Sequence, residues 1–358
     1  MRMNPTYSTT NFGDLQLAVE SLSGGNNTVI FDDEGLPSIM VALPKMTNAE
    51  LMPGGTDQTH HAWIVDNEIV DVIFVSKYQN VTFRDRGYSL PMRLPRNHIT
   101  FDQAMTFCRN KGQGHHLMTN AMFAAIALLT QRMGNEPRGN NSWGRDFSFI
   151  HEKGFSPSDE VDASGRTLRT VTGSGPSSFY HDFTRDGIAD LNGNVWEWVS
   201  GFRIVNGEIQ VIPYGNAMKN NSSHADTSTL WRAIDQNGNM VMPGTPGTLK
   251  YDRVGNVFQV GPTIDNPRIS ASNTFRTIGA KTGATIPNLL RLLGLFPPAD
   301  VSNISRGNFW CNNDGERLPL RGGDWHNGSG AGVFALNVNT ARCNSSWNVG
   351  FRSAFVSL

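Results

Sequence analysis

The stretch DLNGNVWEWVSGFRI, residues 190–204, constrains the fold more than any other part of the chain. A Gly/Asn turn leads into a segment in which Trp196 and Trp198 flank Glu197. Glycine and asparagine favour turns, whereas aromatic residues favour strands. The stretch therefore predicts a turn that opens a strand, and two tryptophans around one glutamate are a rare combination by composition alone.

A second stretch, residues 321–352, alternates apolar segments with polar ones. The segments GDW, AGVFAL and VGFR can anchor in a core. Between them, HNGSG, NVNTA and CNSS carry short side chains that hydrogen-bond readily and commit to no regular structure. The alternation predicts a rigid scaffold that presents an adaptable polar surface.

Composition excludes several classes of function. The 358 residues, enough for one large domain or two, carry 30 Lys+Arg against 31 Asp+Glu. The charge balance gives no basic field for nucleic acid, and no polybasic tract suggests binding to a membrane surface. The N-terminal residues lack the apolar region of a signal peptide, and no run of 18 apolar residues occurs. Cys108, Cys311 and Cys343 are scattered without CxxC spacing, which argues against a disulfide framework and fits a reducing compartment.

Two helices are predicted in the first half. Thr100 and Gln103 form a potential capping box before FDQAMTFCRN, and Gly112 ends that helix. The second helix, in LMTNAMFAAIALLTQRMG, begins at Thr119 or Asn120. It is apolar on nearly all sides, so it should be buried.

The remaining segments are assigned from their patterns. Residues 1–58 are predicted as an N-terminal segment for packing or assembly, with a helix near Asp14–Ser21 and a hairpin of Thr28–Phe31 with Ser38–Leu43. Residues 59–358 form the main domain. Within it, residues 205–310 are predicted as a strand-poor, loop-rich insertion whose one helical segment is IPNLLRLLGLF.

The order of these features resembles a known fold. Strands, two helices, a loop-rich middle, NVWEW, RGGDW at residue 321 and VGFR at Val349–Arg352 follow the order of the formylglycine-generating-enzyme type of C-type lectin fold. The resemblance covers about residues 62–355. It implies an α+β fold in which two helices pack on small antiparallel sheets.

The same resemblance implies a structural Ca²⁺ site at the NVWEW turn. Its ligands would be the side chains of Asp190 and Glu197 and the carbonyls of Gly193 and Val195, since oxygen ligands suit a hard cation. The alternative is an ion-free turn, in which Asp190 caps the backbone and Glu197 pairs with a nearby arginine.

The enzymes of this family use two cysteines that follow the RGG motif, because thiolates bind a copper ion and activate oxygen. Counting from Arg321, those positions hold Asn327 and Gly332, and Cys343 has the wrong spacing. A related enzyme on this fold that uses a histidine-bound iron would need clustered histidines, yet His326 is the only histidine after His224. The sequence therefore predicts no enzyme and no catalytic cofactor.

Residues 321–352 also resemble the variable region of proteins that retroelements diversify, the tropism-determinant class of phage tail proteins. There, reverse transcription randomises adenines, so asparagine codons vary while codons without adenine persist. The scaffold would comprise Trp325, Gly328, Ala331–Leu336, Val338, Ala341, Arg342, Trp347 and Val349–Arg352. The exchangeable, ligand-binding positions would be Asp324, His326, Asn327, Ser329, Gly330, Asn337, Asn339, Thr340, Cys343, Asn344, Ser345 and Asn348.

These observations predict a ligand-binding protein, a phage or prophage tail component that presents a diversified surface to a bacterial surface receptor. Its other partners would be virion tail proteins, and by analogy it would form a homotrimer. The protein would be made in the host cytoplasm and located in the virion. The stretch lacks large aromatic anchors, so affinity per copy should be modest and multiplied by many copies. Three alternatives stay open: loop-forming residues without diversification, a non-diversified bacterial adhesin of this fold, and an oxidase of the formylglycine-generating type.

Overall fold

The structure is a computed structural model that describes residues 9–358. None of the helices in this range combines the length and apolar character needed to cross a membrane. The α-helices are α1 Thr9–Leu22, α2 Asn48–Leu51, α3 Phe101–Arg109, α4 Asn120–Arg132 and α5 Asn288–Leu292.

Strands make up most of the regular structure. In chain order they are β1 Asn27–Phe31, β2 Pro37–Pro44, β3 Ile64–Val65, β4 Glu68–Ile69, β5 Val72–Ser76, β6 Val81–Phe83, β7 Arg86–Tyr88, β8 His115–Leu117, β9 Trp196–Trp198, β10 Phe202–Val205, β11 Glu208–Val211, β12 Arg232–Ile234, β13 Met240–Val241, β14 Lys250–Val254, β15 Val257–Gly261, β16 Ser270–Thr274, β17 Gly279–Ala280, β18 Asn308–Asn312, β19 Glu316–Gly322, β20 Gly332–Thr340, β21 Val349–Phe351 and β22 Ser353–Phe355.

Both predicted central helices are confirmed, together with their caps. The Thr100 hydroxyl accepts from the Gln103 backbone N–H, and the Gln103 side chain accepts in return from the Thr100 N–H. The Thr119 hydroxyl accepts from the Met122 N–H at the start of α4. Ten of the thirteen residues of α4 are buried, because its apolar surface extends around the whole helix.

A five-stranded antiparallel sheet joins the two ends of the chain, in the order β1-β2-β5-β22-β8. The N-terminal hairpin β1–β2 has the predicted position, and it pairs with β5 of the main body. The C-terminal strand β22 lies between β5 and β8. Residues 27–44 are therefore part of the same sheet as the chain's last strand.

The second large sheet has thirteen strands and carries the stretches singled out in the sequence. Strand β19 pairs with β20, β10 and β9. Two pairings near it, β9 with β21 and β18 with β20, are parallel. The α+β class is confirmed, but this sheet is larger than expected and mixed rather than antiparallel.

The prediction that residues 205–310 are strand-poor is wrong. Strands β11 to β17 lie in this segment, β18 begins in it, and all of them extend the large sheet, whereas the predicted helical segment forms only the short α5. The hairpin β14–β15 turns at Gly255 and Asn256, between KYDRV and VFQVG. These strands were missed because they have two to five residues each and are separated by Gly/Asn-rich turns.

The hydrophobic core has two main parts. The larger one surrounds α4, and the smaller one lies under α3 and contains Trp196 and Trp198 of β9. Phe101 of α3 packs edge-on against Trp198, with their ring centroids 5.8 Å apart, and the Trp198 indole donates to the Ile99 carbonyl at 2.9 Å. Strand β9 is thereby fixed between α3 and the strands that flank residues 323–348.

Candidate binding face

Two buried arginines hold the ends of the 321–352 stretch. Arg321 is 1% exposed, and its guanidinium donates to Asn120 Oδ1 at 3.1 and 2.7 Å and to the Gly294 carbonyl at 2.9 Å. Burial lowers the pKa of Arg321 to about 10, which still leaves it charged near neutral pH. This end of the stretch is therefore tied to the first turn of α4.

At the other end, Arg352 is fully buried and forms a bidentate pair with Glu197, at 2.9 and 2.8 Å. The same guanidinium donates to the carbonyls of Ser76 at 2.8 Å and Ala189 at 2.9 Å. Bidentate, charge-assisted hydrogen bonds of this kind fix geometry as well as charge. The two arginines make the frame of the stretch rigid.

Between these ends, the apolar segments are buried and the polar segments reach the surface. Leu336 and Val338 of β20 are 0% exposed, whereas Asn337 is half-buried and Asn339 is exposed. The alternation follows from the two-residue period of a strand, whose successive side chains point to opposite faces. Residues 331–336, predicted as scaffold, are all buried.

Ten of the twelve candidate positions have surface-accessible residues. The exposed ones are His326, Ser329, Asn339, Cys343 and Ser345, and the half-buried ones are Asn327, Asn337, Thr340, Asn344 and Asn348. Asp324 and Gly330 are buried. The side chains of residues 326–348 that reach the surface, together with Trp143, are called the polar face below.

Asp324 supports the polar face from beneath rather than forming part of it. Its Oδ1 accepts from the His326 backbone N–H at 3.0 Å and from His326 Nδ1 at 2.7 Å, and its Oδ2 accepts from the Asn348 amide. The hydrogen bond that the Asp324 carboxylate accepts from the His326 ring raises the pKa of His326. A carboxylate at 0% exposure cannot contact a ligand in this structure, so the sequence assignment of Asp324 to the contact surface is corrected to a positioning role.

Gly330 is the second candidate position that lies below the surface. A Cβ atom built there would lie 3.2 Å from both Asn308 Nδ2 and Trp310 Cη2, a tight contact that requires the neighbours to move. Gly330 has no side chain of its own to offer a ligand. Its assignment as a contact residue is likewise not supported by its position.

An aromatic group on the polar face was not predicted. Trp347 is 43% exposed and stacks on His326, with centroids 5.3 Å apart and planes 26° apart. Trp143, from outside the stretch, lies 5.8 Å from His326, and the Arg166 guanidinium lies 3.7 Å from the centre of the Trp143 ring. The expectation that the face lacks large aromatic anchors is therefore wrong. The codon pattern places Trp347 in the scaffold, and nothing local in the sequence relates Trp143 to residue 326.

Asn327 and Gly332, which stand where the related enzymes have cysteines, have structural roles in this chain. The side-chain oxygen of Asn327 accepts from the Asp324 N–H at 3.0 Å. A Cβ on Gly332 would lie 3.0 Å from the Arg306 Cβ. Cys108 and Cys311 are buried, Cys343 is exposed, and none of the three is disulfide-bonded. Within residues 9–358, no cluster of three or more His, Cys, Asp or Glu side chains could hold a metal.

The oxygen atoms of the NVWEW turn converge on one side-chain nitrogen. Gln79 Nε2 lies 3.2 Å from the Asp190 carbonyl, 3.3 Å from that of Gly193, 3.1 Å from that of Val195 and 3.0 Å from Glu197 Oε1. Gly193 has a φ of +83°, and a Cβ there would lie 2.1 Å from the Asn140 carbonyl oxygen. The turn is therefore closely packed around the Gln79 amide.

The side chains proposed as Ca²⁺ ligands have other partners. Asp190 Oδ2 accepts from the Gly173 N–H at 2.8 Å, and burial raises the pKa of Asp190 to about 6. Glu197 is paired with Arg352. Three groups of the predicted ligand set face the centre of the turn: the carbonyls of Gly193 and Val195 and the Glu197 carboxylate. The centre, however, is occupied by the amide nitrogen of Gln79. This arrangement does not fit a bound cation.

Comparisons with known proteins give structural similarities only. No family model and no curated protein matches the chain. It is similar to PvdO from Pseudomonas aeruginosa, with 13% identity and a TM-score of 0.36. It is also similar to Treponema denticola variable protein 1, with 12% identity and a TM-score of 0.35. Each of these similarities covers 92% of this chain and 98% of the other chain. It is also similar to the P3c variant of the Major Tropism Determinant at 12% identity and TM-score 0.30, covering 92% of this chain and 71% of that chain.

Proposed function

We propose that this chain is a ligand-binding protein that presents the polar face to a receptor on a bacterial surface. The observation that carries the proposal is the exposed stack of Trp347 on His326, backed by Trp143 and flanked along the chain by short polar residues. Tryptophan is enriched among the residues that dominate binding energy in protein interfaces. Serine and asparagine around it supply adaptable hydrogen bonds, as they do in antibody loops.

The frame beneath the face suits such a role. Arg321 and Arg352 are locked by buried hydrogen bonds, and Asp324 fixes His326 and Asn348. A preorganised surface loses less conformational entropy when it binds, so its contacts yield more affinity. The face can accept exchanges at its polar positions while the fold is specified by the residues between them.

The finer proposal is a phage or prophage tail component whose face is diversified by a retroelement. Five of the twelve candidate residues are asparagine and the other seven are one or two base changes from an asparagine codon, whereas residues 331–336 need no adenine. In this proposal the protein is in the virion, its other partners are tail proteins, and copies assemble as a trimer. A non-diversified adhesin of the same fold is the competing proposal.

We also propose that the chain is not an oxidase of the formylglycine-generating type. Asn327 and Gly332 occupy the positions where that chemistry needs thiolates, and neither residue can bind copper through sulfur. Incubation with Cu⁺ and a cysteine-containing peptide should leave the peptide cysteine unchanged. Its conversion to formylglycine would overturn this part of the proposal.

Binding can be tested with protein labelled at its N-terminus and a panel of bacterial species, measured by flow cytometry. The variant Trp347→Ala should lower the apparent affinity for the recognised species by roughly tenfold or more, as loss of a hot-spot residue does. Tyr214→Ala is a matched control, because Tyr214 is a similarly exposed aromatic residue, at 37%, outside the polar face. Equal loss in both variants, or loss in neither, would contradict the proposal.

A further inference from the structure

The nitrogen of Gln79 is surrounded by more acceptors than it has hydrogens. A carboxamide nitrogen carries two N–H bonds, yet four oxygens lie within 3.0–3.3 Å of Gln79 Nε2. Three are backbone carbonyls and the fourth belongs to Glu197. Oxygens that converge in this way form a site of negative potential, which needs a positively polarised atom at its centre.

We propose that the carboxamide nitrogen of Gln79 takes the place of a cation in the NVWEW turn, so that the turn and the polar face keep their structure without Ca²⁺. This inference goes beyond the proposed function, because it concerns how the face is supported and not what it binds. Gln79 is 0% exposed, so the amide forms part of the interior of the turn.

The orientation of the Gln79 amide is set by its other end. Asn194 Nδ2 donates to Gln79 Oε1 at 2.9 Å. Asn194 is itself oriented by Thr170, whose N–H donates to Asn194 Oδ1 at 2.8 Å and whose carbonyl accepts from Asn194 Nδ2 at 3.1 Å. Reversing the Gln79 amide would place its oxygen against four oxygens and its nitrogen against the Asn194 amide nitrogen. The hydrogen-bond network therefore specifies which atom faces the turn.

The Glu197 carboxylate at the turn already has a cationic partner. Glu197 Oε1 accepts from Gln79 Nε2 at 3.0 Å and from Arg352 Nη2 at 2.8 Å. A divalent cation bound to this oxygen would lie beside a fully buried guanidinium, and two like charges in a low-dielectric interior repel strongly. The neutral amide supplies N–H donors and adds no net charge. The ion pair with Arg352 and an amide at the centre are thus compatible, whereas the ion pair and Ca²⁺ compete.

The turn is hydrogen-bonded directly to the backbone at both ends of the segment that carries the polar face. The Gly193 N–H donates to the Gly322 carbonyl at 3.1 Å, and the Trp196 N–H donates to the Asn348 carbonyl at 2.9 Å. The first bond reaches the start of the polar segments and the second reaches their end. Loss of the turn's structure would therefore displace both edges of the face.

The test uses the full chain, with calorimetric titration of CaCl₂ and thermal unfolding in EDTA and in excess Ca²⁺. The wild type should give no binding heat and the same Tm in both conditions. Gln79→Met keeps the length but removes the donors, so its Tm should fall equally in both. Gln79→Glu places a carboxylate among the oxygens, so its Tm should fall in EDTA and recover partly with Ca²⁺. The surface variant Gln103→Glu is the control, and its Tm should not change when Ca²⁺ is added.

Stoichiometric Ca²⁺ binding by the wild type, with a higher Tm than in EDTA, would overturn the inference. So would a Gln79→Met variant with the Tm of the wild type, since the amide would then contribute nothing to the turn. If Gln79→Glu does not fold in EDTA, the wild-type titration and Gln79→Met still decide the matter.

Discussion

Trp347 and His326 stack on each other at the surface, with ring centroids 5.3 Å apart and planes 26° apart. The sequence pattern places Trp347 in the fixed scaffold and His326 among the exchangeable positions. If the proposed diversification holds, a constant aromatic anchor contacts a variable neighbour. Exchanging residue 326 would change the surroundings of Trp347 without removing it, which is a simple way to alter specificity on one frame.

His326 should titrate above its ordinary pKa of 6.5, because the Asp324 carboxylate holds its proton. The folded-state pKa is raised, so the stabilisation is fully present below the unfolded-state value and is lost as pH rises through the folded-state value. An NMR titration of the His326 ring should show a lower pKa in Asp324→Asn than in the wild type. Equal pKa values in the two proteins would contradict the role given to Asp324.

Neighbouring positions of β20 should differ sharply in their tolerance of substitution. Leu336→Ala removes a fully buried side chain and should lower the free energy of unfolding by about 2–5 kcal/mol. Asn339→Ser changes an exposed residue and should alter it by about 0.5 kcal/mol or less. Urea unfolding of both variants makes the comparison. Similar losses in both would mean that the polar positions are part of the fold and not exchangeable.

The Arg352–Glu197 pair should be essential to stability. Arg352→Met leaves the buried Glu197 carboxylate without its cation, and breaking a pair of this kind costs about 3–5 kcal/mol. Lys45→Met is the matched control, because Lys45 pairs with Asp71 where both side chains are more than half exposed, and its effect should stay within about 1 kcal/mol. Urea unfolding measures both, and equal effects would exclude a special role for the buried pair.

Thiol reactivity should distinguish the polar face from the core. Cys343 is exposed, whereas burial raises the pKa of Cys108 to about 12 and raises that of Cys311 as well. Ellman's reagent should therefore modify one of the three thiols in the native protein and all three after unfolding. Cys343→Ser should abolish the native reaction. Two or more reactive thiols in the native chain would contradict the burial of the other two.

Much of the fold follows from local patterns in the sequence. The capping box of Thr100 and Gln103, the Thr119 cap and the uniformly apolar α4 were sufficient to place both central helices. The position of the N-terminal hairpin follows from turn residues between β-branched segments. In each case the information lies within a few residues of the element that it specifies.

The missed features depend on contacts between distant residues. Trp143 meets His326 across more than a hundred and eighty residues of chain, and Gln79 reaches a turn that begins at Asp190. Asp324 was assigned to the surface because its codon fits the variable pattern, yet it is buried under His326. Neither periodicity nor codon pattern reports which side chains meet when the sheet forms.

The DNA that flanks the gene gives the most direct test of a diversified polar face. A diversified face predicts a near-copy of codons 321–352 close to a reverse transcriptase gene, with asparagine codons at the candidate positions and unchanged codons at Trp325, Trp347 and residues 331–336. Flanking DNA with no such copy, no reverse transcriptase and no phage genes would contradict it.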